Sequence, residues 1–228
     1  MGLFDFFKKN DSSVAQTHQS ATNIPVPAPA TKPTGNEVFL DLNKGGLLNL
    51  QKNDFLNLSK TGVNLTNIRV SAGWDVNHHG QDYDLDLCAY MLDGENHLIQ
   101  TVYYGAKRGT GLQLDQDNLT GEGKGDDENI FVNFEKFPLH AQRIVFAVVI
   151  YQAERRRQSF KYVDNAYVRM IDQSVRPERE LCRYNLTEDG GENTAIQFAE
   201  IVRTSEGWTF HAIGKFSRDT ISSLRDRL

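Results

Sequence analysis

Between Val38 and Ile213 the apolar residues of this chain fall in short runs separated by Gly, Asn, Asp and Ser, with little of the 3.6-residue spacing of an amphipathic helix. Within Leu65–Ala72, Ile68-Arg69-Val70-Ser71 alternates apolar with polar, as a half-buried strand does. Further strands are expected over Leu85–Leu92, His97–Tyr104, Asn129–Phe134, Arg143–Tyr151, Ala166–Ile171, Glu180–Leu186, Thr194–Arg203 and Trp208–Ile213. Ser205-Glu206-Gly207 between the last two reads as a tight turn. Val38–Leu42 and Leu47–Leu50 flank Lys44-Gly45-Gly46 and read as a hairpin. Many short strands joined by turn chemistry predict an all-β fold, a β-sandwich. Only the tail, Ser217–Leu228, reads as helical: Ser217 is placed to cap it, Asp219 lies in its first turn, and Arg225 and Arg227 sit where the helix dipole favours cations.

The N-terminal region follows another pattern. Leu3, Phe4, Phe6 and Phe7 beside Lys8 and Lys9 form an apolar run too short for a signal-peptide core. Phe6 also stands where a myristoylation motif wants Ser or Thr. This tip can lie in a membrane interface, dock on a partner or fold back onto the domain. Asp11–Asn36, with Pro25, Pro27, Pro29 and Pro33 among Ser, Thr, Ala and Gln, reads as a flexible linker. The expected organisation is a tip over 1–10, a linker over 11–36, a β-sandwich over 37–216 and a helical tail over 217–228.

A chain of 228 residues can bury a full core. No apolar run approaches the roughly 20 residues of a membrane-spanning helix. The net charge of -5 hides an asymmetry: between Asp75 and Glu128, twelve acids face only Lys107, Arg108 and Lys124. That region lacks the cationic footprint nucleic acid requires, so no nucleic-acid partner is expected. Cys88 and Cys182 share no metal-ligand spacing and read as reduced, packed thiols of a cytoplasmic protein.

The candidate chemistry lies in four acidic clusters: Asp75 with Asn77; Asp82, Asp84 and Asp86; Asp115, Asp117 and Asn118; and Gly121-Glu122-Gly123-Lys124-Gly125-Asp126-Asp127-Glu128. Any one of them is ordinary turn chemistry. Gathered at one end of a fold they repel one another and call for a cation. Asp84 and Asp86, two apart at the start of a strand, present their oxygens on one side. Gly121, Gly123 and Gly125 let the backbone curl around an ion and offer carbonyl oxygens. Calcium takes roughly six to eight oxygen ligands in flexible geometry, which matches Asp75, Asn77, Asp84, Asp86, Asp117, Asn118, Gly121, Glu122, Gly123, Asp126, Asp127 and Glu128; magnesium, which keeps its waters, matches less well. His78-His79 beside Asp82 offers zinc a weaker case among so many hard oxygens. Glu154-Arg155-Arg156-Arg157 is a basic patch, either ion-paired or open to an anionic partner such as a lipid headgroup or phosphate. Trp74 and Trp208 are expected to pack in the core.

Gly73-Trp74-Asp75-Val76-Asn77, Tyr83-Asp84-Leu85-Asp86, Asp117-Asn118-Leu119-Thr120-Gly121-Glu122-Gly123 with Gly125-Asp126-Asp127-Glu128, Ala153-Glu154-Arg155, Gln158-Ser159-Phe160 and Asn165-Ala166-Tyr167 together resemble the successive signatures of the TerD family of tellurite-resistance and stress proteins. The likeness runs from about Glu37 to Phe216. It implies a calcium-binding β-sandwich without catalytic chemistry, cytoplasmic or peripheral to the inner membrane, acting with other proteins in responses to tellurite, oxidative stress, phage and colicins. Lys124, Gln116 and Gln152 depart from the family pattern, and Lys124 supplies a positive charge inside the acidic run.

Two other functions are open to the same residues: a calcium-dependent lipid-docking domain, in which phospholipid completes the coordination sphere, and a metal-dependent hydrolase using Asp84, Asp86, Asp126 and Asp127 to hold ions that activate water. No Ser/His/Asp order, phosphate-binding glycine loop or dinucleotide fingerprint accompanies them.

Overall fold

A computed structural model describes residues 32–42, 47–76, 83–115, 125–185 and 190–228. Among these residues fourteen strands, numbered in chain order, form two seven-stranded sheets. The first sheet runs β1 (Asn36–Val38), β3 (Asp54–Asn57), β14 (Gly207–Ser217), β13 (Ala195–Thr204), β10 (Arg143–Ile150), β5 (Leu85–Leu92) and β6 (Leu98–Val102). The second runs β2 (Leu48–Leu50), β12 (Arg179–Asn185), β11 (Val163–Asp172), β4 (Ile68–Val76), β9 (Glu128–Val132), β8 (Leu112–Leu114) and β7 (Arg108–Gly109). The only helices of more than one 3-10 turn among the described residues are α1 (Ala153–Arg156) and α2 (Ile221–Arg225).

The sheets face each other across one apolar core. Leu85, Leu87, Ala89 and Met91 of β5 and Ile144, Phe146 and Val148 of β10 meet Val70, Ala72, Ile130, Val168 and Met170 from the opposite sheet. The intervening residues of the same two strands, Cys88, Tyr90, Leu92, Val145, Ala147 and Val149, form a second cluster on the outer face, covered by Leu224 of α2. Burial on both faces explains why β5 and β10 read as nearly continuous apolar runs. The Tyr90 hydroxyl donates to the Ile221 carbonyl at 2.9 Å and fastens the helix down. Burying Leu224 contributes about 2 kcal/mol.

Two expectations are corrected. The segments around Val38 and Leu48 do not form a hairpin: β1 pairs in parallel with β3 in the first sheet, and β2 pairs in parallel with β12 in the second. Each segment finds its partner in a strand that its local pattern does not reveal. Ser217 does not cap the tail, because β14 continues to Ser217 in register with Ala195. Thr220 caps instead, in a reciprocal box with Ser223. Three strands escaped the sequence pattern, β3, β7 and β8, which have two to four residues each. Trp74 is buried; Trp208, half-buried, packs edge-on against Phe134 and Phe137. Both cysteines are free and buried.

Candidate metal centre

Strand register brings the acidic residues to one end of the sandwich. Ala72 of β4 lies opposite Glu128 of β9, Leu85 of β5 opposite Ile150 of β10, and Val76 opposite Val163 of β11. The ends of β4 and β8 and the starts of β5 and β9 therefore share this end. The tip residues Leu3, Phe4, Phe6, Phe7, Lys8 and Lys9 lie outside the described residues, as do Asn77, His78, His79, Asp82, Gln116, Asp117, Asn118, Gly121, Glu122, Gly123 and Lys124. Asp75, Asp84, Asp86, Asp126, Asp127 and Glu128 are described, and they fall into two groups.

Asp84, Asp86 and Glu128 are withdrawn from water, with 6%, 3% and 0% exposure. Asp86 continues the outer row of β5 that holds Cys88 and Tyr90, and Asp84 precedes it by one strand period. The Asp84 main-chain carbonyl accepts from the Tyr151 amide at 2.7 Å, and the Arg156 guanidinium stands 3.7 Å from its carboxylate. Glu128 projects inward from the other sheet and accepts from the Leu87 amide at 2.5 Å. That amide is available because β6 pairs only with Ala89 and beyond. Burial, and after it the charges of Asp86 and Glu128, push the Cys88 thiol up to about 12 against its hydrogen bond with Tyr90. The two carboxylates, from different sheets, thus act on one thiol.

Asp126, Asp127 and Glu128 are consecutive, but only Glu128 lies in β9, and the irregular backbone before it lets the three side chains part company. Both oxygens of Asp126 accept from Arg169, at 2.7 and 2.8 Å. The Tyr167 hydroxyl lies 3.0 Å from Asp126 Oδ1 and 2.9 Å from the Gly125 carbonyl oxygen. Tyr167 reaches them by crossing Gly73, where a Cβ would stand 2.4 Å from its hydroxyl oxygen. Asp127 accepts from the Trp74 amide at 2.9 Å. Burial, with Asp126 and Asp75 adding to it, raises the Asp127 carboxyl to about 6. Asp75 is exposed and accepts from Asn165 at 2.7 Å. Asn165 sits at φ 52, in the register break of β11.

The donors at this end are hard oxygens, and in chemistry they suit a cation such as calcium better than a soft metal. Among the described residues, no group of three His, Cys, Asp or Glu side chains stands close enough to hold a metal by itself. The other residues singled out in the sequence belong to 77–82 and 116–124, outside the described residues.

Arg169 and Tyr167 at this end carry no role legible in the sequence, whereas the ion-paired reading of the basic patch holds for Arg156. Arg156 is the inward member of the basic patch, facing Asp84 and stacking over Tyr151 at 5.1 Å. Arg169 and Tyr167 hold the point where the glycine-rich run rejoins the sheet. No signal close in sequence could have shown this, because Arg169 and Asp126 lie 43 positions apart.

The family described as TerD domain matches residues 47–227. The chain is 35% identical over 173 residues to a tellurium resistance protein TerD from an Alcaligenes species, covering 73% of this chain and 89% of that protein. It is 37% identical over 174 residues to general stress protein 16U of Bacillus subtilis, with coverage of 73% and 89%. A crystal structure of a homologue of telluride resistance protein (TerD) from Streptomyces coelicolor superposes with a TM-score of 0.59 at 20% identity, covering 71% of this chain and 95% of that one.

Proposed function

The chain belongs to the TerD domain family of tellurium-resistance and stress-response proteins, and from that premise we propose that it is a non-enzymatic calcium-binding module. The observation that carries this reading is the set of three carboxylates, Asp84, Asp86 and Glu128, withdrawn from water at one end of the sandwich. Buried negative charge of this density is costly unless a cation accompanies it. Asp84, Asp86 and Glu128 would supply the buried oxygens and Asp75 and Asp127 the flank. Asn77, Asp117, Asn118, Gly121, Glu122 and Gly123 would complete the set. Asp126, neutralised by Arg169, would serve as the anchor of the loop. Calcium would supply charge neutralisation and cross-linking, making one end of the sandwich rigid enough for another stress-response protein to recognise.

In the same reading the module works in the cytoplasm, with Leu3, Phe4, Phe6, Phe7, Lys8 and Lys9 giving peripheral contact with the inner membrane. No helix among the described residues is long and apolar enough to cross a membrane.

Calcium titration by calorimetry, paired with thermal melts, tests the reading. Calcium at a hundred times its Kd should stabilise the fold by about 2.7 kcal/mol, and Asp84→Ala should remove that gain. A melting temperature indifferent to calcium would sink the proposal.

A further inference from the structure

A cavity of about 840 Å³ opens on the outer face of the first sheet at the acidic end, between the loop around α1 and the segment leading into α2. Its size lies within the usual range for a small-molecule site, about 300 to 1,000 Å³. One side is aromatic: Tyr103 and Tyr104 meet edge to face with centroids 5.2 Å apart, and Tyr104 meets Tyr151 in the same way at 5.6 Å. The polar side carries Arg155, Arg157 and Arg218. Among the described residues none of these three makes an ion pair, and Arg155 reaches only the Gln152 side-chain oxygen, at 3.4 Å. The fourth guanidinium, Arg225, is held by Asp226 at 2.8 Å. Gln152 and Arg157, which bracket α1, are both held in left-handed backbone, at φ 49 and 55. Strained non-glycine residues of this kind gather at ligand sites. The Thr101 hydroxyl, on the same wall, is buried with no hydrogen-bond partner among the described residues.

Four acids also line the cavity, and their partners decide what it can hold. Asp219 is neutralised by Arg227 at 2.8 Å. Asp86 belongs to the carboxylates assigned to calcium. With calcium in place, Arg155, Arg157 and Arg218 face only Glu154 and Glu192, three positive charges against two; without it the signs balance. Guanidinium groups favour the forked geometry of a phosphate, and tyrosine edges and faces favour a flat ring.

We propose that this cavity binds a phosphate monoester carrying an aromatic body, and that calcium at the acidic end strengthens the binding because Asp86 belongs to both sites. Only the coupling rests on the calcium reading; the pocket stands on its own residues. Linkage then requires the ester to tighten calcium by the same factor that calcium tightens the ester.

The test is calorimetric titration of the full chain with phenyl phosphate and, separately, with glycerol phosphate, each in calcium and in chelator. Phenyl phosphate should bind saturably, at least tenfold tighter than glycerol phosphate and several-fold tighter in calcium. Arg157→Gly, which suits the left-handed backbone, and Arg218→Gln should each weaken it about tenfold while leaving the calcium isotherm unchanged. No saturable binding of either ester, or binding indifferent to both substitutions, overturns the pocket. Equal binding in calcium and chelator overturns the coupling. A chain that takes the ester but not calcium overturns the proposed function and leaves the pocket in place.

Discussion

Two sets of carboxylates in this molecule have the same chemistry and different fates. On the outer face of the second sheet, Asp126, Glu178 and Glu180 meet guanidinium groups at hydrogen-bonding distance: Arg169 takes Asp126 and Glu180, Arg69 takes Glu178 at 2.9 Å, and Arg183 takes Glu180 at 2.7 Å. At the end of the sandwich, Asp86, Asp127 and Glu128 sit near other carboxylates, and main-chain amides serve Asp127 and Glu128. Hydrogen bonds from main-chain amides fix the direction of a carboxylate without cancelling its charge. The first set pairs with cations of the protein itself; under the proposed function the second is the set that takes calcium. The number of acids in a stretch therefore says little until the partners of each are known.

The sharpest way to break this contrast is to remove one cation from the complete set. Arg169→Ala leaves Asp126 and Glu180 facing each other without their shared donor, and should cost about 3 kcal/mol in urea unfolding. The gain in stability from calcium should survive, because Arg169 serves Asp126 and not Asp84, Asp86 or Glu128. Asp84→Asn is the converse. Without calcium it should be neutral or slightly stabilising, since it removes one of several like charges, but the calcium gain of about 2.7 kcal/mol should vanish. If both variants lost the calcium gain equally, the two sets would be one site.

The pH dependence should separate the sets by sign. Burial raises Asp127 to about 6, above its unfolded value of about 3.8. The folded state then holds this proton more tightly than the unfolded state, so without calcium Asp127 makes stability fall as pH rises from about 4 to 6. Glu180 runs the other way. Burial opposes its ionisation, but hydrogen bonds from Arg183 and Arg169 together hold its carboxyl below the ordinary range. Its contribution is present above the unfolded pKa and is lost as pH falls through the folded one. In urea melts from pH 4 to 7, Asp127→Asn should flatten the calcium-free decline, and calcium should abolish it in the parent chain. An unchanged slope in Asp127→Asn would remove Asp127 from the set under repulsion.

The sandwich was readable because strands such as β11, β13 and β14 carry turn residues at their ends, and because β5 and β10 are too apolar for anything but the middle of a sheet. What stayed hidden depends on distance along the chain. Val38 and Leu48 look like two arms of one hairpin, and only their partners in β3 and β12 show that they belong to different sheets. Asp126, Asp127 and Glu128 look like one ligand run, yet Asp126 and Asp127 precede β9, and the first goes to Arg169 while Glu128, the first residue of the strand, goes to Leu87. The basic patch was visible, but not its division: Arg156 turns toward Asp84 while Arg155 and Arg157 line the cavity.

Tyr167 stands on the boundary between the two sets and gives the finest test. Its hydroxyl holds Gly125 and Asp126, its ring passes over Gly73, and Arg183 stacks on its face at 4.1 Å from the centroid. Tyr167→Phe keeps the ring, the stacking and the Arg169–Asp126 pair, and removes only the hydroxyl contacts. The expected loss is about 1 kcal/mol of stability, with calcium affinity reduced only a few-fold, because the anchor at Gly125 loosens while Asp84, Asp86 and Glu128 stay in place. A loss of affinity as large as that of Asp84→Asn would mean that the outer face and the acidic end act as one structure. No change in affinity at all would mean that the anchor at Gly125 serves the fold alone.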